Sequence, residues 1–322
     1  MKGIFRMKTA VIDRTLSFLP INHEPDTKTH LLNYIDKLTD CGVDYFEIGS
    51  DVVDILGEIN YSERYIFKVR KTTDMAVAVK YDFAYVTVPH QFVKLFSRQQ
   101  KKQNLIAEIF TNEYAVLSEL LRLKESKCLS NIALVRLTGI LASSQESIEK
   151  LVGWYKANFF IPLDVCPINT ALSGASDAVG FFKAGADSIS LSFGRNHYYT
   201  AFEDFLINKH ILQRQRLSAE IISAICSASL EFLRVFGTIP SGMERIVTNE
   251  NPTLAPVFNI ESGMVFRPFR PSRRPDSAEP TVIEKQIKTI GLEREIEDAI
   301  IDMLKKTNFS FYQNIIKRNI ID

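Results

Sequence analysis

Residues 9–13, Thr-Ala-Val-Ile-Asp, and 45–49, Tyr-Phe-Glu-Ile-Gly, are short apolar runs. Between them, residues 27–40, Thr-Lys-Thr-His-Leu-Leu-Asn-Tyr-Ile-Asp-Lys-Leu-Thr-Asp, repeat apolar side chains at three- and four-residue spacing. The outer runs read as strands and the middle one as an amphipathic helix. The alternation continues to roughly residue 205: strand-like runs recur at 65–69, 83–88, 105–110, 132–137, 159–165 and 188–193, and helix-like segments at 91–102, 112–124, 144–157 and 173–184. Eight strands with intervening helices predict a parallel α/β sheet with right-handed crossovers. Eight is also the number that closes a (β/α)8 TIM-type barrel. Because the repeats near residues 45 to 85 are short, at roughly 20 residues each, an open doubly wound sheet is the competing fold. No Gly-rich loop follows the first strand, which counts against a nucleotide-binding form of that alternative.

Beyond the repeats, residues 207–236 read as one or two helices stopped by Gly237 and Pro240. These trailing helices complete a first domain over 1–236. An irregular region over 237–280 follows, ending in the Arg/Pro-rich run Arg267-Pro-Phe-Arg-Pro-Ser-Arg-Arg-Pro-Asp-Ser-Ala-Glu-Pro280, whose prolines predict an extended linker. Its arginines suit a solvated connector, or else an acidic partner or phosphate group. Helical spacing returns at Ile283, Ile287, Ile290, Leu292, Ile296, Ile300 and Leu304, giving a small helical C-terminal region over 281–322. A tail of that size cannot bury a large core alone and is expected to dock on the barrel or on a second chain.

Composition narrows the function classes. Of 322 residues, 46% are hydrophobic and 24% charged, which is globular usage. Lys plus Arg number 39 against 38 for Asp plus Glu, so no overall field draws in nucleic acid. Cys41, Cys128, Cys166 and Cys226 are widely spaced with no CxxC pair, which fits reduced thiols in a cytoplasmic protein. No apolar run reaches membrane-spanning length and no signal peptide precedes the first strand, so no membrane partner is expected. Met1 and Met7 are both available as starts.

In a barrel of this kind chemistry sits at the C-terminal ends of the strands. Those ends carry Asp13 and Arg14, Glu47, Arg136, then Asp164, Cys166 and Asn169, and finally Gly194-Arg-Asn-His197. Asp13, Arg14, Glu47, Arg136 and Asn169 are the candidate pocket residues, the arginines neutralising carboxylates or holding an anionic ligand. Equally, Asp13, Arg14 and Glu47 can be a structural ion-pair network. Asp164 and Cys166 share a strand face and His197 follows the last strand, so the three are an alternative set of metal donors, although nothing in their spacing is a metal signature. The structural alternative is a buried Cys166, a solvated His197 and an Asp164 hydrogen-bonded at the strand end. Ser188, Ser190 and Ser192 alternate with apolar residues and predict a small, polar strip along the barrel interior.

Three segments resemble one family. Val11-Ile-Asp13-Arg14-Thr15-Leu16 followed by Gly42-Val-Asp-Tyr-Phe-Glu47-Ile-Gly49 is similar to the opening of the pyruvate-carboxyltransferase family of metal-dependent barrels. Asn169-Thr-Ala-Leu-Ser-Gly174, running on to Ala184-Gly-Ala186, resembles its strand-seven segment. Phe258-Asn-Ile-Glu261-Ser262-Gly263-Met264 resembles a motif in the C-terminal region of its homocitrate and isopropylmalate synthase-like members, which adds Glu261 and Ser262 to the candidate pocket residues. The matches fall in family order. The resemblance implies a TIM barrel, condensation of an acyl-CoA with a 2-oxoacid on a divalent metal (Mg, Mn or Zn), and chains that assemble as oligomers.

The departures are as informative. Where the resemblance implies a catalytic Arg and a metal-binding carboxylate, the chain has Ser17 and Phe18. The two metal-binding histidines fall on Cys166 and Ile168, a further ligand near Tyr199 and Thr200, and both C-terminal histidines on Ile260 and Val265. A cation that polarises a 2-oxo group needs several oxygen or nitrogen donors, so no metal cofactor is expected unless the site has been rebuilt. The first reading is a homocitrate synthase-like, non-catalytic or regulatory subunit, homo- or hetero-oligomeric, with an active homocitrate synthase-like subunit as a candidate partner. The second is an active acyltransferase or aldolase-type lyase with a rebuilt site, and the third a small-molecule sensor for a carboxylate or acyl-CoA.

Overall fold

The computed structural model describes residues 9–71, 73–99, 104–111, 115–126, 128–140, 144–168, 174–194, 199–213 and 217–237. Eight parallel strands, β1 (Ala10–Asp13), β2 (Tyr45–Ile48), β3 (Tyr65–Lys68), β4 (Tyr85–Pro89), β5 (Leu105–Phe110), β6 (Ile132–Thr138), β7 (Leu163–Cys166) and β8 (Ser188–Leu191), form a closed barrel in sequence order. Closure is made by β1 against β8, with Ala10 opposite Ser188 and Ile12 opposite Ser190. That pairing removes the open-sheet alternative.

Outside the barrel lie α1 (Thr27–Asp40), α2 (Ser50–Leu56), α3 (Asp74–Lys80), α4 (Val93–Gln99), α5 (Val116–Glu125), α6 (Gln145–Asn158), α7 (Gly174–Ala184), α8 (Phe202–Leu212) and α9 (Ala219–Phe236). The short repeats after β2 and β3 contain α2 and α3, seven residues each. Two turns of helix are enough to reverse a chain but too few to show a sequence period.

β7 is the strand whose start the sequence misplaces most: it begins at Leu163, not at residue 159, while β4 begins at Tyr85, not at residue 83. Phe159 instead closes α6, its N–H donating to Tyr155 O at 2.8 Å, and Pro162 has no N–H for a ladder. The trailing helices are two, and the first begins at Phe202, inside the eighth repeat. α9 lies against α1, tied by His30 to Glu231 at 2.7 Å, and Gly237 ends it at φ 66°, a conformation that favours glycine. Among the described residues no helix is long and apolar enough to cross a membrane.

Strand alternation sorts the side chains into two sets. Outward-facing Val11, Phe46, Phe67, Val86, Val135, Val165 and Ile189 join the helices in the main hydrophobic core. Inward, Ile12, Ile66, Ile106 and Leu134 form a separate apolar floor flanked by Tyr45 and Tyr85.

Candidate functional site

Two residues beyond that floor, the same strands place Arg14, Lys68, Glu108 and Arg136 inside the barrel, with Glu47 and Asp164 beside them. Arg14 Nε donates to Glu47 Oε1 at 2.9 Å and its Nη2 to Glu108 Oε1 at 2.8 Å. Arg136 bridges Glu47 and Asp164, while Lys68 pairs with the other oxygen of Glu108. Hydroxyls complete the network: Ser17 and Thr87 each donate to Glu47 at 2.9 Å, Thr138 to Glu108 at 2.8 Å, and Ser190 to Asp164 at 2.7 Å. Three cations thus face three carboxylates.

Such charges would be expensive if unmatched. Burial alone would raise the Glu47 carboxyl, but the Arg136, Arg14 and Lys68 charges hold it well below its ordinary range. The converse holds for the two guanidiniums, which burial would weaken and which Glu47 strengthens. Lys68 differs: burial, with Arg14 and Arg136 adding to it, depresses the ammonium well below its usual value against the pull of Glu47.

Above this layer the described part of the barrel mouth carries an apolar cluster. Cys166, Ile168 and Tyr199 form a buried cluster against which Phe18 and Phe110 pack. The rings of Phe18 and Tyr199 meet edge-on at 4.9 Å, and the Tyr199 ring lies 4.7 Å from Arg14 Cζ. An isolated bridge joins Ile168 to Tyr199. Arg14 Nη1 donates to the Cys166 sulfur at 3.1 Å, and burial pushes that thiol up despite the guanidinium.

The geometry therefore brings together Arg14, Glu47 and Arg136 of the sequence candidates. Asp13 ends β1 one residue before Arg14 and faces the opposite way. It accepts from Thr15 Oγ1 at 2.7 Å and from Thr15 N at 3.2 Å, close to Tyr34 of α1, and burial raises it to about 7. Of the alternative metal set, Asp164 is engaged by Arg136 and Ser190, and Cys166 by Arg14. Asn169, His197, Glu261 and Ser262 lie outside the described residues, as do the Arg/Pro-rich linker and the C-terminal region. Among the described residues no group of three or more His, Cys, Asp or Glu is arranged to hold a metal ion. Phe18 and Ile168 offer no donor, so the described part of the mouth does not fit the divalent cation that the resemblance implies.

Sequence reasoning missed Lys68 and Glu108. The available signal was a charge inside each of the apolar strands Tyr-Ile-Phe-Lys68 and Leu-Ile-Ala-Glu108-Ile-Phe, in step with the inward-facing isoleucines. The serine strip does turn inward: Ser188, Ser190 and Ser192 are all buried. A separate apolar hollow, lined by Val69, Met75, Val88, Pro89, Phe92 and Leu95, opens on the helical side and shares no residue with the charged layer.

No family model matches the chain. It is 22% identical over 267 residues to the homocitrate synthase omega subunit of Clostridium pasteurianum, covering 80% of this chain and 73% of that protein. Its fold is similar to that of the hydroxymethylglutaryl-CoA lyases of Pseudomonas aeruginosa and Bacillus subtilis. The TM-scores are 0.58 and 0.57 at 13% and 14% identity, covering 77% and 75% of this chain and 98% of each lyase.

Proposed function

From a barrel whose motif order, relative and fold support the pyruvate-carboxyltransferase family, we propose that this chain is a homocitrate synthase-like subunit that holds no catalytic metal and works beside an active synthase subunit. The observation that carries the proposal is the packed cluster of Phe18, Phe110, Cys166, Ile168 and Tyr199. Four of these five occupy positions that the resemblance assigns to metal ligands.

Condensing an acyl-CoA with a 2-oxoacid needs a base to enolise the thioester and an electrophile to stabilise the developing alkoxide. Among the described residues the hydrocarbon at the mouth supplies neither, and the interior cations Arg14, Lys68 and Arg136 are already matched by Glu47, Glu108 and Asp164. The relative is itself named as a subunit, which supports a hetero-oligomer in which the active centre lies on the other chain.

The test is the purified chain alone, supplied with Mg²⁺ or Mn²⁺, acetyl-CoA and 2-oxoglutarate. The expected result is substoichiometric bound metal and no release of free CoA above background. Turnover within the usual enzyme range of roughly 1–10³ s⁻¹ would sink the proposal.

A further inference from the structure

Hydrophobic side chains are exposed unevenly around the barrel. Among the described residues, Val79 of α3, Phe92 just before α4, Leu95 of α4, and Leu117 and Leu121 of α5 are 40% to 64% exposed, while α1, α2, α6 and α7 expose no large hydrophobic side chain. Single exposed hydrophobics are ordinary, but five on three consecutive helices make a face. The hollow of Met75, Phe92 and Leu95 opens in this face, and Val79 stands one helical turn beyond Met75. It holds about 460 Å³ of space open to solvent, within the roughly 300–1,000 Å³ of ligand-receiving clefts, so side chains can enter it and not merely abut it. Arg70 and Lys71 also line it, none of its described lining residues is acidic, and exposed Lys94 stands between Phe92 and Leu95 in the sequence. Arg70 is answered by Asp51 at 2.8 Å, which leaves Lys71 and Lys94 to set the charge beside the hollow. We infer that this face is the docking site of residues 292–304 of the same chain, whose apolar stripe fills the hollow while its acids meet Lys71 and Lys94.

Charge and spacing select that segment. Its spacing puts Leu292, Ile296, Ile300 and Leu304 on one face of a helix, and Glu293, Glu295, Glu297, Asp298 and Asp302 stand against Arg294 alone. The stretches on either side have the wrong sign. Residues 281–291 carry Lys285 and Lys288 against Glu284, and 305–322 carry Lys305, Lys306, Lys317 and Arg318 against Asp322. As a helix, Leu292 to Leu304 covers about 18 Å, which matches the roughly 16–20 Å across three helices packed side by side.

The chain can bring this segment to its own barrel. α9 ends at Phe236 against α1, on the far side of the ring from α4. About 55 residues separate Gly237 from Leu292, a reach of about 40 Å even as a flexible coil, which is the scale of a domain's width. Such a tether holds the segment near its own barrel at an effective concentration on the order of 1 mM, which favours it over a second copy. The inference does not depend on the partner-subunit proposal.

The test is carbodiimide cross-linking of the full-length protein, which joins an amine to a carboxylate only in direct contact. The monomer and dimer bands of a denaturing gel are mapped separately by peptide mass spectrometry. Lys156 and Asp187, 3.5 Å apart, are the internal reference for a folded barrel. The expected result is peptides in the monomer band that join Lys71 or Lys94 to acids within 292–304. Leu95→Glu, at an exposed position, puts a like charge into the hollow and should lower that yield at least about tenfold, with the Lys156–Asp187 link unchanged. Links found only in the dimer band would assign the face to a second copy. Links that survive Leu95→Glu would mean a charge contact without apolar docking. Either result overturns the inference, as does a Lys156–Asp187 link that forms while Lys71 and Lys94 stay unjoined to the segment.

Discussion

Ile12, Ile66, Ile106 and Leu134 fill one level of the barrel interior with hydrocarbon, and two residues further along the same strands Arg14, Lys68, Glu108 and Arg136 fill the next with charge. The two levels share a scaffold and near-complete burial, yet their energetics differ in kind. Each floor side chain contributes on the order of 1.5–3 kcal/mol by leaving water, nearly independently of its neighbours and of pH. The charged level gains only if every partner is present, because removing one leaves another charge buried and alone. One level is additive and the other conditional.

Breaking the conditional level at its centre has the largest expected effect. Arg136→Met leaves Glu47 and Asp164 without their shared cation, and urea unfolding should show a loss of about 3–5 kcal/mol. A loss near that of a single methylene would mean that the three-to-three match is not what holds this layer.

Glu47→Gln comes next, at about 2–3 kcal/mol at pH 7, because Arg14 and Arg136 both lose an ionic acceptor. Its sign with pH is definite. Since Glu47 is depressed in the folded chain below its ordinary 4.5, its contribution is fully present above that pH and disappears as pH falls through the folded value. The gap between wild type and Glu47→Gln should therefore narrow in melts taken from pH 5 downwards. A gap constant across that range would place the carboxylate's contribution in packing instead.

Ile106→Val sharpens the contrast from the other side. In the floor it should cost about 1 kcal/mol, with the same value at pH 4 and pH 8. A pH-dependent cost would mean that the two levels are coupled through the β5 backbone.

Legibility in the sequence follows the same division. Apolar spacing located every strand, because the outer faces must be hydrophobic to receive the helices, and it found α1 with its ends intact at residues 27 and 40. It failed where a local feature opposed a hydrophobic run, as at Phe159 to Pro162. It also failed where an element was too short to have a period, as in α2 and α3. Arg14, Glu47 and Arg136 were visible as charges near strand ends. Asp13 was equally visible, but the alternation along β1 sends it to the helical side beside Thr15 and Tyr34, away from the ion pairs.

By itself, then, the sequence determined the eight-unit alternation, the shared face of Ser188, Ser190 and Ser192, and the want of donor side chains at Phe18 and Ile168. These are properties of single residues and of a period of two or 3.6. Only the tertiary structure decided that Arg14 reaches Glu108, ninety-four residues away, and that Phe18 meets Tyr199 across the mouth. Those meetings depend on the register with which β1 closes on β8, and closure is a property of all eight strands together that no single segment encodes.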